Sequence, residues 1–228
     1  MDRMNRLRRS MLMVALMGAA FPAAVFAAPS ALGEQLAVKG SSAGAPPCAS
    51  CHGAAGQGQT AAGFPRLAGM SADYLSRQLM AFATGSRANP VMGPVAKMLT
   101  PVEQQSVARY YAVLAPVAQA TDAPQRPGSV DGRLLVEKGD WNHGLPACSQ
   151  CHGPAGLGVG SSFPQLAGQP STYLANQLNS WKLGTRTNDP LGLMQGIAKK
   201  LSDSQVIAVA DFYSGLPVTA ASTPKAKP

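Results

Sequence analysis

Large apolar side chains, strand-like alternation and clustered charge are all scarce in this 228-residue chain. Two Trp, five Tyr and six Phe are few, and each half of roughly 90 residues lacks the bulky side chains that would fill a core of its own. Another apolar body must supply that volume. No segment alternates apolar and polar residues convincingly, which sets sheet architectures aside and leaves an all-α chain. Basic residues stand mostly singly, and the short runs Lys199-Lys200 and Lys225-Ala226-Lys227 read as solvated surface. Nucleic acid is therefore not an expected partner.

No apolar stretch reaches the ~20 residues that span a bilayer. The run Met11 to Ala20 is short, Pro22 interrupts its continuation, and Arg3, Arg6, Arg8 and Arg9 precede it. With small residues around Val25-Phe26-Ala27, this is the pattern of a secretory signal peptide over residues 1–27. The mature protein is expected in the periplasm, with 15 basic against 10 acidic residues, net +5.

Sliding the sequence against itself by about a hundred residues superposes its two halves. Gly33 to Gly40 matches Gly132 to Gly139, and Phe64-Pro65-Arg66-Leu67-Ala68-Gly69 matches Phe163-Pro164-Gln165-Leu166-Ala167-Gly168. Tyr74-Leu75 and Gln78-Leu79 meet Tyr173-Leu174 and Gln177-Leu178, and Gly85-Ser86-Arg87 meets Gly184-Thr185-Arg186. The order throughout is that of an internal duplication. Residues 28–118 and 131–218 form the two domains, the proline-bearing stretch 119–130 a linker, and 219–228 a disordered tail.

Helix signals recur in phase as well. Thr100-Pro101-Val102-Glu103 combines an N-cap, proline at the first helical position and a capping-box glutamate, predicting a helix from Pro101 to about Leu114. Ser202-Asp203-Ser204-Gln205 repeats the cap, and a shorter helix in each half runs from near Ser71 or Ser171 to Gly85 or Gly184.

The four cysteines fall in two clusters, Cys48-Ala49-Ser50-Cys51-His52 and Cys148-Ser149-Gln150-Cys151-His152. Cys-x-x-Cys-His is the attachment signature of c-type haem: two thiols add to the vinyl groups and the next imidazole lies under the iron. A thioredoxin-type disulfide or half of a zinc site would use similar residues, but neither requires the following histidine twice in phase. Two haem c groups bring four propionates, so the mature holoprotein is expected at roughly +1. Methionine recurs at Met92 and Met194 as a sixth iron ligand, while Met70, Met80 and Met98, whose counterparts are Gln169, Asn179 and Lys200, are read as core filler, Met98 being also the competitor ligand in the first half. Pro65 and Pro164 follow the haem histidines at nearly equal spacing, where a carbonyl can accept the imidazole's Nδ1 proton or simply shape a turn. Arg87 and Arg186 are read as exposed arginines or as contacts to the propionates. His143 has no counterpart and is expected at the surface or near a propionate.

Taken together, these motifs resemble the diheme cytochrome c4 family over nearly the whole mature chain. The resemblance implies two tandem class I cytochrome c domains facing each other about a pseudo-twofold axis. It assigns Cys48, Cys51, His52 and Met92 to one haem iron site and Cys148, Cys151, His152 and Met194 to the other. It also implies an electron carrier in a respiratory chain, not an enzyme. The expected donor is a quinol-cytochrome c oxidoreductase and the acceptor a haem-copper terminal oxidase, with peripheral membrane association left open. A dedicated electron-transfer subunit of a periplasmic dehydrogenase or reductase is the alternative. The long linker and the extra residues before Met194 depart from the repeat.

Overall fold

Thr100 caps its helix as its residues predict: its Oγ1 accepts from the Glu103 N–H, and Glu103 Oε2 accepts from the Thr100 N–H at 2.8 Å. A computed structural model describes residues 31–117 and 131–218 of the protein. The expected leader 1–27, linker 119–130 and tail 219–228 lie outside the described residues.

Each repeat is built from five helices in the same order. The first contributes α1 (Ala31–Lys39), α2 (Ala49–His52), α3 (Ala72–Thr84), α4 (Met92–Lys97) and α5 (Pro101–Val113). The second contributes α6 (Gly132–Lys138), α7 (Ser149–His152), α8 (Ser171–Lys182), α9 (Leu193–Lys200) and α10 (Asp203–Ser214). Among the described residues there are isolated bridges but no strands. Helix α3 ends at Gly85, which takes the left-handed conformation with φ 85°. The capping box at Ser202 and Gln205 starts α10.

The first and last helices of each repeat cross at a glycine. A Cβ on Gly33 would stand 2.3 Å from the Ser106 carbonyl oxygen, and one on Gly132 would stand 2.1 Å from that of Ala208. Only hydrogen at these positions lets α1 close on α5 and α6 on α10. Leu36, Ala37, Met70, Leu75, Val107 and Tyr111 fill the first core, while Leu135, Val136, Leu174, Val209 and Tyr213 fill the second. Met70 is core, as expected, but Met80 and Met98 are not; both are exposed, at 54% and 40%. Their counterparts Asn179 and Lys200 are polar, and Met80 on α3 and Met98 just past α4 meet solvent.

Candidate haem sites

In each repeat a single helical turn, α2 or α7, presents a cysteine pair and a histidine. His52 and His152 are each 7% exposed, and each ring Nδ1–H donates to a proline carbonyl, Pro65 or Pro164, at 2.9 Å. Burial pulls both imidazoles below their ordinary pKa, against the opposing pull of these carbonyls. The rings are thus neutral at physiological pH, with one proton held on Nδ1 and the Nε2 lone pair free for a metal. The Cys48 and Cys148 thiols are pushed up to about 11, chiefly by burial. That is opposite to the depressed thiol of a disulfide exchange enzyme. Among the described residues, no group of three or more His, Cys, Asp or Glu is arranged to hold a metal ion unaided, which weighs against the zinc alternative.

Cys48, Cys51, His52 and Met92 line one cavity of about 380 Å³ whose walls include Phe64, Leu75, Val95 and Leu99. Met98 is not among its lining residues. Asn89 Oδ1 accepts from the N–H groups of Val91 and Met92 at 2.9 and 2.8 Å, fixing the turn that carries Met92. In the second repeat Met194 packs on Leu145, Leu178, Ala198, Leu201 and Val206. The extra residues before it form a short 3₁₀ turn, Pro190–Gly192, with Leu191 at φ 63° and fully exposed.

The cavity does not end at the edge of its own repeat. Tyr173, Asn176, Gln177, Ser180 and Arg186 of the second repeat complete its wall beside Arg87. Arg87 and Arg186 are therefore not exposed arginines; they are 5% and 4% exposed where the two repeats meet. Their loops pair antiparallel through Ala88 N–H to Thr185 O at 2.9 Å and Thr187 N–H to Ser86 O at 2.7 Å. Arg87 donates to Tyr173 Oη at 2.9 Å and Gln177 Oε1 at 2.6 Å, and Arg186 to Tyr74 Oη at 3.4 Å and Gln78 Oε1 at 3.0 Å. Each guanidinium also lies over an aromatic ring, Phe82 at 4.4 Å or Trp181 at 3.9 Å. The matched Tyr and Gln positions on α3 and α8 carry no role in the sequence alone; their polarity in phase on one helix face is the sequence signal for this seam.

These features suit a haem. The cavity offers apolar walls for the macrocycle, and its lining brings together thiols, an imidazole and two buried cations facing neutral partners. Among these lining residues Arg87 Nε is a buried donor without a protein partner, available to a carboxylate. His143 is exposed and binds Asp140 at 2.7 Å, so it is a surface residue.

The cytochrome c family matches the chain twice, over residues 31–111 and 131–216. The chain belongs to the cytochrome c family. With one attachment motif in each domain, it carries two covalent haem c groups and is a diheme electron carrier, not itself an enzyme. It is 41% identical over 223 residues to a thiosulfate dehydrogenase electron acceptor of Thiomonas intermedia, covering 96% of each chain. Among solved structures, cytochrome c4 of Pseudomonas stutzeri matches with a TM-score of 0.71 at 30% identity, over 83% of this chain and 99% of that one. The thiosulfate dehydrogenase TsdBA of Marichromatium purpuratum matches with a TM-score of 0.78 at 44% identity, over 84% of this chain. This cytochrome spans only 41% of that longer chain. Among the described residues, no helix is long and apolar enough to cross a membrane.

Proposed function

We propose that this diheme cytochrome accepts electrons from a thiosulfate-oxidising dehydrogenase in the periplasm, to which residues 1–27 direct it. The observation that carries the reading is the match along 96% of the chain to a thiosulfate dehydrogenase electron acceptor. That match favours the dedicated dehydrogenase partner over direct delivery from a quinol oxidoreductase to a terminal oxidase. Joining two thiosulfate ions through a new sulfur–sulfur bond releases two electrons and no proton, one electron for each of two one-electron sites.

The bound haems supply reversible one-electron chemistry between ferric and ferrous iron. The chain's residues prepare each site for it. Cys48 and Cys51, and Cys148 and Cys151, would hold the two macrocycles covalently; His52 and His152 would offer Nε2 to the iron, while Pro65 and Pro164 hold the Nδ1 proton. Met92 and Met194 would supply the remaining protein ligand of each iron, a histidine and methionine pair that would need little ligand movement on changing oxidation state. Arg87 and Arg186 hold the domain contact rigid and offer donors to the propionates.

The test mixes the oxidised cytochrome with the catalytic subunit of a thiosulfate dehydrogenase from the same organism. Addition of thiosulfate is expected to reduce both haems at a rate that depends on the catalytic subunit. If no reduction occurs, while a quinol-cytochrome c oxidoreductase reduces the protein and oxidase-containing membranes reoxidise it, the dehydrogenase reading is wrong.

A further inference from the structure

The two repeats differ in the motif that carries the proline carbonyls: Phe64-Pro65-Arg66-Leu67-Ala68-Gly69-Met70 stands against Phe163-Pro164-Gln165-Leu166-Ala167-Gly168-Gln169. The two differences face one another. Gln169 Oε1 accepts from the Arg66 N–H at 3.0 Å, and Gln169 Nε2 donates to the Arg66 carbonyl at 2.9 Å and to Met70 Sδ at 3.5 Å. The Arg66 side chain then crosses the seam. Its Nη1 donates to the Ala68 carbonyl, and its Nη2 to the Ala167 carbonyl and Gln165 Oε1, both at 3.1 Å.

Ala68 and Ala167 are equivalent positions of the two repeats. One guanidinium that binds both carbonyls therefore lies on the pseudo-twofold axis, where a single side chain fits and its counterpart must be something else. Arg66 is 1% exposed, and no carboxylate among the described residues pairs with it. Burial lowers its pKa only to about 10, so it remains a cation at neutral pH. The residue before it, Pro65, accepts the His52 proton, and the residue before its partner Gln165, Pro164, accepts that of His152.

We propose that Arg66 is a tuning residue shared by both redox sites, a buried cation on the axis that raises the reduction potentials of the two haems together. Ferric iron carries one more positive charge than ferrous iron, so a cation held in a poorly screened interior opposes oxidation at each site. This inference rests on the two haems and not on which partner supplies their electrons.

Spectroelectrochemical titration of the haem-loaded protein tests it. Arg66→Gln, which copies the second repeat, and Arg66→Met are expected to shift both haems several-fold toward the ferric form at a given potential, by similar factors; a tenfold shift corresponds to about 59 mV for one electron. Arg66→Lys keeps the charge and is expected to retain most of both potentials, and Gln165→Met is expected to give no common shift. Small-angle scattering on the same samples reports whether the domains stay docked. Unchanged potentials in the neutral variants overturn the proposal, docked or not. A shift confined to one haem overturns the axial placement, and a shift found only in variants whose domains have separated makes Arg66 a structural staple alone.

Discussion

Replacing one glycine by alanine is expected to have opposite effects at two helical positions of the second domain. Gly132 on α6 would place its new Cβ 2.1 Å from the Ala208 carbonyl oxygen and 2.6 Å from its carbon, where ordinary contact begins near 3.4 Å. The obstacle is the backbone of α10, which cannot rotate aside, so the two helices must part by more than an ångström. Overpacking of this kind typically costs about 1–3 kcal/mol, and a rigid backbone neighbour places Gly132→Ala at the upper end. Alanine's better helix propensity returns about 1 kcal/mol. The net loss of about 2 kcal/mol lowers the unfolding midpoint of a domain this size by roughly 8–16 °C. The damage reaches the haem site, because α6 also supplies the Leu135 carbonyl beside the Cys148 thiol. Gly196 on α9 has nothing within 4 Å of a new Cβ, so Gly196→Ala is expected to stabilise by about 0.5–1 kcal/mol and raise the midpoint by a few degrees. Thermal unfolding of the haem-loaded variants, followed by helical circular dichroism, measures both. If Gly132→Ala melts no lower than the parent protein, or Gly196→Ala melts as low as Gly132→Ala, the helix crossing is not the constraint described.

Met92→Ala and Met194→Ala are each expected to abolish the methionine-to-iron charge-transfer absorption of one haem and open that site to carbon monoxide, while Met98→Ala leaves both intact. Loss of a ligand signal in the Met98 variant alone would reverse the assignment in the first domain. Arg87→Ala removes charged hydrogen bonds to Gln78, Tyr173 and Gln177 and the contact with Phe82; each such bond is worth about 1.5–3 kcal/mol, partly offset by relief of repulsion from Arg186. The seam should loosen, so solution scattering is expected to report a larger radius of gyration, and an unchanged radius would mean that the arginine loops do not hold the domains together.

What recurs in phase could be read from the chain, because two copies of a motif discriminate between alternatives that one copy leaves open. The helix from Pro101 ends at Val113, one residue short of Leu114, and the second capping box at Ser202 and Gln205 opens α10 as its residues predict. The proline carbonyls accept from the haem histidines, which the spacing alone left level with a turn. Helices α1, α4, α6 and α9 are short and carry weaker signals: α1 and α6 are held by the glycine crossings, and α4 and α9 by packing on α3 and α8. Arg87 and Arg186 were misjudged as exposed for a related reason. Charge normally marks surface, and nothing local announces that the other repeat will bury it against tyrosines and glutamines a hundred residues away.

Duplication alone yields two equal sites, and equal sites give an electron no preferred resting place. Any difference in how the domains treat an electron must come from residues that break the repeat, and two groups of these stand close to the haem sites. Arg66 against Gln165 and Met70 against Gln169 meet at the seam, while the turn from Pro190 to Gly192 belongs to the second domain and leads directly into Met194. The on-axis position of Arg66 acts on both haems alike, so it sets their common level. The exposed Leu191 and the Asp189 carboxylate that accepts from the Gln195 N–H at 2.8 Å reshape only the turn before Met194. A departure confined to the approach of Met194, the ligand proposed for the second iron, is where the two potentials can part. Trimming Pro190 to Gly192 toward the first repeat's shorter loop is therefore expected to move the second haem's potential and leave the first unchanged. An equal movement of both potentials in that variant would refute the division.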